Sequence, residues 1–211
     1  MRNTRTLTRR AAVSAASAVA ALVLAACGGG DGSGSGPTAA HGSASASAGA
    51  HNAQDVSFAQ GMIPHHRQAL EMARLAAGRA SSAQVEDLAA RIEKAQEPEI
   101  RTMSGWLTSW GEDVPGSSGS DAESMPGMDH SGSGMPGMMA ASDMAALGKA
   151  SGKDFDARFL AMMVDHHKGA VDMATAEKKK GAYAPATSLA DDIVAAQTAE
   201  ITEMNELLGN G

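Results

Sequence analysis

Apolar residues recur at spacings of three and four in four stretches of the chain, and that period predicts four helices. In the first, Asp55 to about Ala77, the residues Phe58, Met62, Ala69, Ala73 and Ala76 share one stripe of a helical wheel. The second, Ala83–Trp110, carries Val85, Leu88, Ala89, Ile92, Ile100, Met103, Trp106, Leu107 and Trp110 on its stripe. Lys153 to about Lys180 and Ala184–Leu208 repeat the two patterns in order. Gly78–Ser82 reads as a turn, and Lys178-Lys179-Lys180 followed by Gly181 suits a helix C-terminus. No strand-like alternation occurs. Two helical hairpins of this size predict an all-α, ferritin-like, up-and-down four-helix bundle built from two repeated αα-hairpins, 54–111 and 153–209.

The hairpins are one unit written twice. At a shift of about 101 positions Asp55 falls on Asp156, Phe58 on Phe159, Met62 on Met163, and His65-His66 on His166-His167. Met72 falls on Met173, Gln96 on Gln197, Glu99 on Glu200 and Met103 on Met204. Several of these positions are polar yet lie in an apolar stripe. Glu at such a position is costly unless paired or ligating. The two histidines of each pair straddle the inner stripe, diverging by about 100°. They are poorly placed to chelate one ion together, so each is expected to team with groups from another helix. Pro64 and Pro98 each remove a backbone bond and predict local distortion.

Outside the hairpins the composition changes. Residues 1–26 read as a lipoprotein signal peptide: Arg2, Arg5, Arg9 and Arg10 precede an apolar run, Ala11–Ala26, that is short for a membrane span. The run ends in Leu24-Ala25-Ala26-Cys27, which resembles a bacterial lipobox, so Cys27 would carry lipid and become the mature N-terminus. Thr8-Arg9-Arg10 faintly resembles a twin-arginine signal but lacks the downstream aromatic, leaving the export route open. Residues 27–53 are a Gly/Ser/Ala tether in which His41 and His51 are expected to be solvent-exposed and idle. A second linker, 112–152, holds Met125, Met128, His130, Met135 and Met138 among Pro-Gly turns.

Removing the four leader arginines leaves 13 basic against 24 acidic residues, a net charge of −11 for the chain from Cys27. That balance argues against nucleic acid as a partner and would concentrate cations. The single cysteine excludes an internal disulfide, thiolate zinc sites and iron–sulfur clusters. No Glu has a His three residues on, as di-iron bundles require, and no haem, zinc-protease, phosphate-loop or nucleophile-elbow motif is present. Nothing points to catalysis.

What remains is metal chemistry. Thioethers suit soft Cu(I), and by the same softness silver; imidazole suits Cu(II), Zn(II) or Ni(II). A mixed Met/His set outside the cytoplasm reads first as copper. The candidate ligands are Met62, His65, His66, Met72, Glu99 and Met103, with Met163, His166, His167, Met173, Glu200 and Met204; Glu99 and Glu200 ligate or orient an imidazole from behind. The linker residues Met125, Met128, His130, Met135 and Met138 are weaker candidates, collecting ions. The rival readings are a buried polar network that fixes helix register and an enzyme using His as base with Glu as partner.

The pattern Asp-x-x-Phe-x-x-x-Met-x-x-His-His-x-x-Ala-x-x-Met-Ala, followed by a helix bearing Gln-x-x-Glu-Ile-x-x-Met, resembles the domain-of-unknown-function 305 family. It occurs twice, over about 55–110 and 156–208. The resemblance implies a ferritin-like four-helix bundle. Some bacterial envelope members of the family are described as copper-binding resistance proteins, which extends to Met62, His65, His66, Met72 and Met103, and to Met163, His166, His167, Met173 and Met204. Asp165 stands where the family often has Pro before the histidines, which sets the two halves apart. The chain thus reads as a metal-binding lipoprotein of the bacterial cell envelope that sequesters or delivers copper, with metal ions and, through lipid on Cys27, the membrane as partners.

Overall fold

The computed structural model describes residues 49–116 and 134–209, all within one compact unit, Ala44–Gly211. Cys27, His41, Met125, Met128 and His130 lie outside the described residues. Five helices form: α1 (Ala53–Ala76), α2 (Ala83–Trp110), α3 (Ala141–Lys149), α4 (Gly152–Lys180) and α5 (Ala184–Leu207). Among the described residues there is no strand. The all-α fold and its four long helices agree with the periodicity.

Local chemistry sets the helix ends. Asn52 caps α1, accepting from the Gln54 and Asp55 N–H groups at 2.8 and 3.1 Å, while Asp55 accepts the Asn52 N–H at 2.6 Å. Asp55 is therefore the third residue of a capping box rather than the N-cap. Gly111 ends α2 in the left-handed region, φ 76°. Pro64 and Pro98 interrupt neither helix. Around Pro64 the buried Met62, Ile63, His65 and His66 hold the turn in place by packing, which outweighs one missing backbone bond.

α1 packs on α2, α4 on α5, and α1 on α4. The Asn52 amide donates to the Lys180 carbonyl at 2.9 Å, so the start of α1 meets the end of α4 and the two run antiparallel. α2 and α5 meet through longer side chains, as in Arg91–Glu203 at 2.5 Å. Neighbouring helices are antiparallel throughout, with one long crossover joining the hairpins, as in ferritin-like bundles. α2 ends beside the start of α1, whereas the Gly152 N–H, at the start of α4, donates to the Arg79 carbonyl at the other end of the bundle at 2.7 Å. Of the stretch between them, residues 111–116 and 134–151 are described. This stretch, expected to be only a linker, carries α3, whose Leu147 is fully buried.

The core falls into two apolar clusters. Phe58, Met62, Ile63, Met103 and Leu107 from the first hairpin join Ala170, Ala174, Ala190 and Ile193 from the second. Phe155, Phe159, Met163 and Met204 join Met72, Leu88 and Ile92 in the other. Along both α1 and α4 the histidine pair lies between residues of one cluster and residues of the other. Each cluster thus takes residues from both hairpins, and a polar layer separates them.

Candidate metal centre

All four paired histidines are buried in that layer: His65, His66 and His167 are 0 % exposed and His166 is 1 %. The roughly 100° divergence within each pair sends the two members to different partners. His66 donates its Nε2–H to Glu99 Oε2 at 2.7 Å, and His167 does the same to Glu200 Oε2 at 2.7 Å. Both bonds stay within one hairpin, the carboxylate coming from the following helix. Glu99 and Glu200 are only partly exposed, at 20 % and 15 % of the side chain.

The other member of each pair turns to the α1–α4 seam. His65 and His166 meet across it at a tilt, with ring centroids 3.7 Å apart and planes 37° apart. His65 donates Nε2–H to the Pro136 carbonyl at 3.1 Å, whereas among the described residues neither ring nitrogen of His166 has a well-formed hydrogen bond, the His65 backbone being its polar neighbour. Nδ1 of His65, His66 and His167 is likewise unpartnered. A neutral imidazole whose Nε2 carries the proton presents a bare lone pair at Nδ1. Burial pushes His65 down to about 3, with repulsion from His66 adding to it. Burial, then His65, likewise holds His166 well below its ordinary value. Both rings are therefore uncharged at neutral pH, in the protonation state that binds metals.

Residues 135–139 form a strap over this seam. Gln68 clamps it from α1, donating to the Met139 carbonyl at 2.9 Å and accepting the Met139 N–H at 2.8 Å. On α4 the strap lies against Gly169, where an added Cβ would run into the Pro136 carbonyl. Gly137 is equally tight, since a Cβ there would sit 2.7 Å from the Asp165 carbonyl oxygen, and it has φ +77°. Gln68 and Gly169 occupy equivalent positions of the repeat, so divergence at this one position lets a single strap cross both helices. Met135 Sδ and Met173 Sδ both approach Gly61, within 3.9 and 3.7 Å of where its Cβ would lie.

The remaining candidates are distributed. Met62 and Met103 are fully buried in one apolar cluster, with Met173 packed against it; Met72, Met163 and Met204 are fully buried in the other. Met138 lies half-buried in the strap. Among the described residues no three His, Cys, Asp or Glu side chains converge as a ready cage. His51, expected to be idle, stacks on Trp110 with centroids 4.4 Å apart.

Sequence reasoning missed three features. The Pro136 carbonyl has no side-chain signature, and Gln68 reads as an ordinary helix-surface residue. The third is Glu177, fully buried at the end of α4 beside Asp55. Burial, then Asp55, pushes the Glu177 carboxyl up to about 8. Burial also works to raise Asp55, but its contact with Glu177 and N–H donors from Asn52, Tyr183 and Ala182 prevail and leave it below its ordinary value. Glu177 matches Ala76 in the repeat, so no echo marks it. Gly181 is needed here for space, because a Cβ would strike the Glu177 carboxylate.

A family model described as "Domain of unknown function (DUF305)" matches residues 55–208. A DUF305 protein from Streptomyces coelicolor, designated as secreted, is similar at 34 % identity and TM-score 0.64, over 74 % of this chain and 92 % of that one. A DUF305 fragment from Deinococcus radiodurans is similar at 30 % identity and TM-score 0.64, over 76 % and 98 %. CopM in its Cu(I)-bound form is similar at 32 % identity and TM-score 0.58, over 74 % and 96 %; its structures also include Cu(II)- and Ag-bound forms. No functionally curated protein matches the sequence.

Proposed function

The chain belongs to the DUF305 family, and on that footing we propose that it binds copper ions in the bacterial cell envelope, for sequestration or delivery, with the His layer as its central site. The observation that carries this reading is His166, buried in the seam with neither ring nitrogen partnered among the described residues and packed at a tilt against a neutral His65. Each buried polar atom left without a partner costs about 1–3 kcal/mol. A cation accepting the one bare lone pair of the neutral His166 ring would repay the cost at that nitrogen, which protons, excluded by burial, do not.

The ligands assigned here are Nδ1 of His65 and a ring nitrogen of His166, with Nδ1 of His66 and His167 flanking. Glu99 and Glu200 act from behind, accepting Nε2–H and raising the basicity of the opposite nitrogen. The thioethers of Met62 and Met103 on one side, and of Met72, Met163 and Met204 on the other, bias the layer toward Cu(I) and silver over Zn(II). Met135, Met138 and Met173 at the strap pass ions inward. CopM, with copper and silver forms on a similar bundle, supports the assignment. The proposal includes lipid on Cys27 as the membrane anchor. Among the described residues no helix is long and apolar enough to cross a membrane.

A second reading is favoured by one observation: the His66–Glu99 and His167–Glu200 bonds are already complete at 2.7 Å. In that reading the layer is a structural polar network that sets helix register. Competition titration with a Cu(I) chelator separates the two. The metal reading expects Cu(I) bound more tightly than Zn(II), and a loss of at least about tenfold when His65 and His166 are both changed to Ala. Absence of copper binding below millimolar contradicts it.

A further inference from the structure

The chain has two tryptophans and one tyrosine, and all three meet at one end of the bundle. Trp106 and Trp110 occupy the last turns of α2, and Tyr183 directly precedes α5. Tyr183 meets the two indoles edge-on, with centroids 5.6 and 5.2 Å apart. Trp106 stacks on Trp110 at 6.2 Å, and His51 covers Trp110 from the other side. All four rings are half-buried, each packing part of its surface and leaving part in solvent.

Two further features share this end. Lys178, Lys179 and Lys180 close α4 in exposed positions. Lys178 pairs with Asp191 at 2.5 Å, while Lys179 and Lys180 have no ion-pair partner among the described residues. The acids at this end are Glu112 and Asp113 just past α2, Asp191 already paired with Lys178, and the buried Asp55 and Glu177. The chain also enters the bundle here: Gly49 lies against Tyr183, where an added Cβ would be 3.4 Å from the ring.

We infer that this end is a docking face for an anionic lipid bilayer. Indole and phenol rings with one buried and one wet side favour the headgroup region. Unpaired lysines beside them are drawn to anionic headgroups. The chain from Cys27 is otherwise acidic, with a net charge of −11 (13 basic less 24 acidic residues), so other surfaces are repelled and this one sets the orientation. Docked this way, the bundle stands with α1 leading away from the membrane and α4 leading back to it, and the α1–α2 turn and the start of α4 point outward. The inference rests on the aromatic cluster and the lysines beside it, and is independent of any metal.

The test uses the full chain reconstituted into phosphatidylglycerol/phosphatidylcholine vesicles. Trp106 and Trp110 are the sole tryptophans, so intrinsic emission reports this end alone. The expected result is blue-shifted emission that is quenched when the lipids carry bromine on their acyl chains. Changing Lys179→Glu and Lys180→Glu should reduce quenching to the level seen in pure phosphatidylcholine while the protein still co-floats. Equal emission in brominated and ordinary vesicles, with the protein co-floating, overturns the inference; so does quenching that ignores both the lysine changes and the lipid charge.

Discussion

His65 and His166, equivalent residues of the two repeats, meet at a tilt across the α1–α4 seam with ring centroids 3.7 Å apart. Neither ring is charged, because burial depresses both. Two neutral imidazoles in a dry seam, three of their four nitrogens unpartnered, add little to the stability of the metal-free protein.

His166→Leu is therefore expected to be neutral or to stabilise the metal-free protein by up to about 1–3 kcal/mol, since it removes two unsatisfied polar atoms. The same change should lower Cu(I) affinity. Urea denaturation in chelator, beside a Cu(I) titration, reads both. Loss of stability in chelator would favour the register-setting network instead.

His66→Ala should behave in the opposite way. It leaves Glu99 without its donor at the edge of the core and opens a cavity, and is expected to destabilise by about 2–4 kcal/mol even without metal. The comparison of these two neighbours in one denaturation series tests whether the pair divides its labour as the bonds indicate.

Glu99→Ala and Glu200→Ala are expected to weaken copper binding by about 10–100-fold each, through loss of the bond that fixes the imidazole proton on Nε2. Glu→Gln at either position keeps an acceptor and should weaken it less. Competition titration distinguishes this from direct ligation, for which Gln would be nearly as harmful as Ala.

Gly169→Ala should displace the strap, because the new methyl meets the Pro136 carbonyl. The expected cost is about 1–3 kcal/mol. Hydrogen exchange at the Met139 amide, bonded to Gln68 at 2.8 Å, should speed up more than exchange in the helices.

Glu177 gives a pH dependence. Its carboxyl is raised to about 8 in the fold from an ordinary 4.5, so its stability contribution is fully present below about 4.5 and is lost as pH rises toward 8. The slope is at most roughly 1.4 kcal/mol per pH unit. Glu177→Gln keeps a donor toward Asp55 and removes the titration. The variant should therefore show a flatter stability profile between pH 5 and 8, measured by urea denaturation.

The repeat made much of this legible. Once Met62 was matched with Met163 and the histidine pairs with each other, both hairpins and their inner faces followed. The wheel angle between His65 and His66 foretold that each would seek a different partner. What repetition could not show is what breaks it. Gln68 and Gly169 hold the strap by differing, Glu177 replaces an Ala, and α3 lies in a stretch whose Gly and Pro content reads as linker. The His51–Trp110 stack depends on where α2 ends, which a tether composition does not reveal.

On this proposal a copper ion lodges in the α1–α4 seam at His65 and His166. Anomalous diffraction from crystals loaded anaerobically with Cu(I), or with Ag(I), tests it most directly. The strongest peak is expected at the edge of those two rings, within bonding distance of a ring nitrogen of each. Loaded crystals whose peaks lie only on surface carboxylates or on the strap methionines, with the seam empty, would contradict it.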